Sequence, residues 1–355
     1  MPARHVQIAA FMVGAAALQL ATAFTGTDFL LTQLTMSAYY TLVVVGLSLL
    51  MGYDGQISMG HAGFFAIGGY TSAALTTWNL AASRGRPVVS LLSRLGLLTT
   101  TADLYGGRAL VVSPWAAFAC AVVLAAVLAF LIGIPILKLR GHYLAMATLG
   151  VGTIVYSVVL GVPALGAADG ISGVPPFRLV GGLTVGGSSP IANYYVACAF
   201  LAVAILLLLN LVQSRVGRAL RAIHGAEDAA SAMGVDVAAY KLRTFVLSAV
   251  LAAVAGVFLT HFNGGIGPSE ASIMKSVKYV AIVAVGGMGS VWGTVATSLV
   301  LNFLSLRGYF GSFDDAVFGA ILVAVMLFAP DGILGRDLRG AIASLLRRAT
   351  PAERA

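Results

Sequence analysis

The stretch SRVGRALRAIHGAEDAASAMGVDVAAYKLR, Ser214 to Arg243, decides how the chain reads, because nearly everything around it is apolar enough to live in a bilayer. It lies between two long hydrophobic segments. Arg215, Arg218 and Arg221 recur every three residues and line one helical face. After Gly225 a second short helix reads from Ala226 to Met233, with Glu227 and Asp228 in its first turn, where the helix dipole favours negative charge. Gly234 follows its last turn as a C-terminal stop, and Asp236 is placed to N-cap the next apolar helix. The expected product is a short, alanine-rich helix held across the membrane surface between two spans. It could serve as an inert connector or as a docking knob for a partner.

Working outward, the composition sets the class. The chain has 355 residues, 59% hydrophobic and 10% charged, against about 25% charged in a typical soluble domain. Apolar runs of about 20 residues recur along the whole length, which predicts a single all-α polytopic transmembrane helical bundle over residues 1–355 with about eight spans. The expected spans are Val6–Phe24, Phe29–Met51, His61–Trp78 (whole or broken), Val111–Leu137, Tyr143–Val162, Ile191–Val212, Phe245–His261 and Ala316–Phe328. Ala21-Thr22-Ala23 could mark a signal-peptide cleavage, but the many later spans favour a retained first span. The net charge of +8 is no nucleic-acid signal, because the Lys and Arg sit at membrane flanks rather than in one stripe. Cys120 and Cys198 lie in apolar segments without metal-ligand neighbours and read as buried free thiols.

Charge also orients the chain. With the N-terminus, the Lys138-Leu139-Arg140 connector, the 214–243 loop and the basic 331–355 tail inside, 13 of the 21 Lys and Arg are cytoplasmic. Four of the remainder (Arg84, Arg86, Arg94 and Arg108) fall in the Asn79–Arg108 connector. Ser276–Phe303 must then return to the side it came from, which a re-entrant hairpin bent at Gly286-Gly287-Met288-Gly289 achieves. Non-helical backbone at membrane depth is tolerated only against protein or a water-filled cavity. Gly286, Gly287 and Gly289 are therefore candidates for the translocation path. Lys275 and Lys278 flank the segment as expected snorkelling anchors.

Enzyme chemistry finds little support. No Walker A sequence, HExxH, CxxC or Gly-x-Ser-x-Gly elbow occurs, and the five His are scattered. Gln56, Ser58 and His61 stand in an apolar setting, either as helix-to-helix hydrogen bonds or as path-lining groups. Gly60, Gly63, Gly68 and Gly69 permit close helix packing. Asp54, Glu270, Asp314 and Asp315 fall near expected span ends, so the buried charge usual in a secondary transporter or channel is not evident.

Several ordered motifs carry a family resemblance from about Gly52 to Gly332. EDAASAMGVDVAAYKLRTF resembles the cytoplasmic coupling loop of ABC-importer permeases, in the variant of branched-chain amino-acid permeases of the LivM type. GYDGQISMGHAGFFAIGGYTSA, ADGISGVPPF and SVKYVAIVAVGGMGSVWG resemble the same family in the expected order. Leu165 and Ala167 depart from the family's usual Thr and Gly, and His224-Gly225 stands where it often has Arg-Glu. The resemblance implies the ABC-importer permease architecture in a prokaryotic inner membrane. It implies a second related permease, two cytoplasmic ATPase subunits that bind ATP and Mg, and an extracytoplasmic substrate-binding protein. This chain itself would hold no cofactor or metal, contact lipid and bind no nucleic acid. Ala226, Glu227, Asp228, Ala229, Ala230, Met233 and Gly234 would couple to the ATPases. The implied substrates are branched-chain amino acids. Urea or short amides remain the alternative within the same importer type, and a secondary transporter or channel the alternative of another class.

Overall fold

The computed structural model describes residues 2–328 apart from 82–92, 95, 103–107, 140, 180–181 and 188. Arg84, Arg86, Arg140 and the basic 331–355 tail lie outside the described residues. Among the described residues the chain is an all-α bundle trimmed with three two-stranded ribbons. In order, the helices are α1 Pro2–Thr25, α2 Phe29–Tyr53, α3 His61–Thr77, α4 Pro114–Ile136, α5 His142–Gly161 and α6 Pro190–Gln213. There follow α7 Arg215–Gly225, α8 Glu227–Ala232, α9 Val237–Asn263, α10 Ile273–Gly286, α11 Val291–Leu306 and α12 Asp314–Phe328. Among the described residues six of them (α1, α2, α4, α5, α6 and α9) are long and apolar enough to cross a membrane. The chain is a multi-pass membrane protein.

Local chemistry sets the ends. Ser189, Ser214, Asp236, Ser272 and Ser290 each accept a backbone N–H from the first turn of the helix that follows. Pro114 and Pro190 open α4 and α6, where the missing N–H is one that no helix could use. The span expected from Val111 begins instead at Pro114, because β2 (Arg108–Val112) pairs with β1 (Leu98–Ala102). In the 163–190 connector, β3 (Ile171–Ser172) pairs with β6 (Gly265–Ile266), and β4 (Phe177–Arg178) with β5 (Thr184–Val185). That connector is therefore pinned to the end of α9, which adds to the stiffness expected of its prolines.

The core forms around α2, buried along most of its length from Leu31 to Tyr53. Against it pack α6, α9 and α11, and α3 packs along α9. The α3–α9 contact is made by backbone. A side chain at Gly68 would strike Ala253, and one at Gly256 would strike the Phe65 carbonyl, so hydrogen alone fits. Helix α4 meets α3 and α9 through Ala117, Ala121, Ala125, Ala129 and Gly133, a fully buried stripe with a four-residue period. That stripe is plain in the sequence once the period is sought. Neither cysteine is in a disulfide: Cys198 is buried, whereas Cys120 is exposed on α4, contrary to the expectation of two buried thiols, because the small-residue stripe takes the inner face.

Two helices start inside the bundle. Residues 54–60 carry the chain back from the end of α2: Gln56 Nε2 donates to the Lys241 carbonyl in the second turn of α9, and His61, the first residue of α3, reaches Ser248. Ser248 is 11 residues into α9, about 16 Å along its axis. The span expected over His61–Trp78 is thus a broken one, joined to α2 by extended chain. Helix α10 likewise starts at depth, with Ser276 Oγ accepting the Ala62 N–H of α3 at 3.2 Å. Helices α10 and α11 form a hairpin. Lys275 on α10 meets Tyr40, and Ser298 on α11 meets Thr41, whereas the tip carbonyl of Gly289 takes the Tyr53 hydroxyl. Both legs therefore pass the same level of α2, and the Gly-rich tip reaches its C-terminal end.

Candidate functional site

The 214–243 loop folds as its caps dictate. Helix α7 ends at Gly225, and α8 occupies Glu227–Ala232 with Glu227 and Asp228 in its first turn. Gly234 stands at φ +83°, the left-handed stop, and Asp236 Oδ1 accepts the Ala239 N–H at 3.1 Å. Ala226, Asp228, Ala229, Met233 and Gly234 are exposed, Met233 at 85%. Glu227 is half-buried, and its carboxylate takes Lys241 Nζ at 2.6 Å, tying α8 to α9. Ala230 is buried and faces the bundle, so it seats the helix rather than presenting a surface. Beside α8 opens a cleft of about 330 Å³ whose lining includes Glu227, Asp228, Asp236 and Lys241. The prevailing charge of that lining is negative.

Beneath the loop lies the turn after α2. A side chain on Gly55, which has φ +73°, would strike the His224 ring at the end of α7. Gln56 Nε2 donates to Asp54 Oδ2, yet Asp54 Oδ1 and Gln56 Oε1, both buried, are acceptors without donors. Burial pushes the Asp54 carboxyl up to about 6, against the lowering influence of Gln56 and Lys241. The same turn touches the hairpin tip, because any side chain on Gly52 would land on the Met288 carbonyl. The two glycine-rich breaks of the sequence thus meet, and the exposed loop touches one of them. Within the tip, Gly287 has φ +88° and Gly286 packs on Thr294, but Gly289 faces open space.

Gln56, Ser58 and His61 are each at most 2% exposed. His61 bridges elements, with Nδ1 3.0 Å from Ser58 Oγ and Nε2 2.7 Å from Ser248 Oγ, and its ring packs edge-on against Phe64 and Phe245. In this conformation the three are sealed joints between helices. His261 makes a matching joint farther along, to Ser72 Oγ at 2.8 Å and to the Pro175 carbonyl at 2.7 Å.

A charged cluster that the sequence placed at a span end lies well inside the bundle. Tyr40 is 11 residues into α2, about 16 Å along its axis. Its hydroxyl donates to Glu270 Oε1 at 2.9 Å, and Lys275 Nζ reaches the same hydroxyl at 3.0 Å and Glu270 Oε1 at 3.1 Å. One turn on, Lys278 pairs with Asp314 and Asp315 at the start of α12. Lys275 and Lys278 are therefore ion-paired inside the protein, not snorkelling. The extended residues after α9, with the 3-10 turn Pro268–Ala271, carry Glu270 back from the end of the span.

A family model described as branched-chain amino acid transport system / permease component matches residues 29–329. The high-affinity branched-chain amino acid transport system permease protein LivM of Escherichia coli is 28% identical over 322 residues, covering 84% of this chain and 68% of that protein. The corresponding permease protein BraD of Pseudomonas aeruginosa is 26% identical over 317 residues, covering 86% and 95%. The permease protein LivH of E. coli is 38% identical over 126 residues, covering 35% and 41%. No solved structure matches the chain.

Proposed function

Because the chain belongs to the branched-chain amino acid transport permease family, we propose that it is one permease subunit of an ATP-driven importer for leucine, isoleucine and valine in a prokaryotic inner membrane. Its partners are a second, related permease, two cytoplasmic ATPase subunits that bind ATP and Mg, and an extracytoplasmic binding protein. The loop end of the bundle faces the cytoplasm. The observation that carries this reading is the contact chain from the exposed α8, through His224 on Gly55, to Gly52 on the hairpin tip at Met288.

Helix α8 is the docking lever. Its exposed Ala226, Asp228, Ala229 and Met233 meet the ATPase, and the acidic cleft beside it takes a basic segment of that partner. Glu227 bound to Lys241 makes α8 and the base of α9 one piece. Closure of the ATPases on ATP displaces this piece. The displacement presses on the turn after α2 and, through it, on Gly286–Gly289. The sealed joints at Gln56, Ser58 and His61, with the hairpin tip, form the cytoplasmic closure of the path. Their opening and closing alternate access between the two sides.

The test is co-purification from membranes followed by ATPase assay. A stoichiometric ATPase that is lost when Glu227 and Asp228 become Lys supports the reading. A lone protein without ATPase activity overturns it and favours a channel or secondary transporter.

A further inference from the structure

Among the described residues, the cluster around Glu270 leaves buried polar atoms that no protein group satisfies. Glu270 Oε2 has no donor, and the Tyr279 and Tyr70 hydroxyls, on residues 1% and 3% exposed, have no partner. Both tyrosines lie within electrostatic range of the Glu270 carboxylate. Leaving such groups unpaired is costly, and they are commonly retained where a ligand or water completes them.

Access and charge narrow the ligand. The side chains of Glu270 and Lys275 are 19% and 24% exposed, so the pair opens to one side well inside the span, while Glu270 Oε2 and the two tyrosine hydroxyls are closed off in this conformation and are reached when the path opens. An ion pair at that depth faces an aqueous path or a partner subunit, because hydrocarbon does not solvate it. Glu270 and Lys275 together carry no net charge, which suits a solute bearing both signs better than a neutral amide or a simple ion. Apolar Ile273 and Met274, next in the chain, are 38% and 47% exposed. Helix α10 begins three residues after Glu270, and its N-terminal end favours a carboxylate.

The geometry points to a subsite for the charged head of a zwitterionic amino acid at Glu270, Lys275, Tyr70 and Tyr279. Glu270 Oε2 accepts from the α-ammonium, and Lys275 with the two tyrosine hydroxyls donates to the α-carboxylate. This rests on the branched-chain reading above and adds to it the place where the substrate is held within the permease.

The test uses the importer assembled with its partner subunits in proteoliposomes, measuring uptake of radiolabelled leucine alongside ATP hydrolysis and thermal melting. Tyr70→Phe and Tyr279→Phe remove only partnerless hydroxyls. A purely structural role predicts unchanged uptake with an equal or higher melting temperature. The subsite predicts slower uptake, about tenfold for the combined variant, with ATP hydrolysis and melting retained. Glu270→Gln keeps the shape and should cost about tenfold or more. If Glu270→Gln fails to assemble, the tyrosine variants decide. Uptake within about twofold of wild type in the tyrosine variants overturns the subsite. A wild-type complex that carries urea or a short amide but no leucine overturns the branched-chain reading, and the zwitterion site falls with it by that separate arm.

Discussion

Two polar clusters touch helix α2, and they solve burial differently. At its C-terminal end, Asp54 is 2% exposed, has one donor in Gln56, and is held toward its neutral form with a carboxyl at about 6. Eleven residues into the helix, Glu270 meets a lysine and a tyrosine hydroxyl on one oxygen. Burial raises the carboxyl of the first cluster, whereas the second sets its carboxylate against a lysine and a hydroxyl. The first is a sealed joint under the exposed loop. The second is open to one side. The carboxylate that is open to one side has a lysine against it, and the one the protein closes over has a single side-chain amide as donor.

The largest effect that could break this picture is at Gly52. Gly52→Ala puts a carbon onto the Met288 carbonyl and should cost about 3 kcal/mol or more, seen as a lower melting temperature and lost uptake. Gly289→Ala, which meets nothing within 4 Å, should melt as wild type. Equal melting of the two variants would mean that the breaks do not bear on each other.

Next is Gly234→Pro. Proline holds φ near about −65°, whereas Gly234 sits at +83°, so the stop of α8 must rearrange at the surface. Uptake should fall by about an order of magnitude with the protein still in the membrane. Normal ATP-driven uptake by this variant would refute α8 as a lever.

Asp54→Asn sharpens the contrast between the clusters. A carboxyl raised to about 6 in the fold contributes stability below its unfolded value and loses it as pH rises through about 6. Wild type should therefore melt at a lower temperature at pH 7.5 than at pH 5, on the order of 1 kcal/mol from this group. Asp54→Asn should remove that component and melt higher at neutral pH. Identical pH dependence in wild type and variant would mean that burial does not raise the Asp54 carboxyl. The smallest effect is expected for Glu227→Gln. Its ion pair with Lys241 is partly solvated, with the Glu227 side chain 31% exposed, and the stability loss should stay below about 1 kcal/mol. Denaturant titration of the detergent-solubilised protein at low and high salt would detect it.

Much of the fold was legible in the residues. Apolar runs mark α2, α6 and α9 because each needs enough length to cross. The caps at Gly234 and Asp236 give the loop because the left-handed stop and the side-chain acceptor act locally. Depth was not legible. Order along the chain puts Glu270 seven residues after the end of α9, which reads as a span end. The unwound 264–272 segment turns back into the bundle, and the long-range hydrogen bond from Tyr40 reveals it. The meeting of Gly52 with Met288 joins residues far apart in sequence, and no local pattern announces it. Gln56, Ser58 and His61 were recognised as polar groups needing partners. Which partners they have depends on α9, through Lys241 and Ser248.

The contact between α3 and α9 has a consequence for how such a protein can move. At Gly68 and Gly256 no layer of side chains lies between the helices, so there are no rotamers to yield. Sliding one past the other by even part of a turn drives carbonyl oxygen into carbon. The pair must travel as one body, and the freedom to change shape falls to the chain on either side of it. The two unwound segments, 54–60 and 264–272, lie just outside that rigid unit, one before α3 and one after α9. A permease of this kind is shaped as much by where glycine forbids movement as by where it allows it.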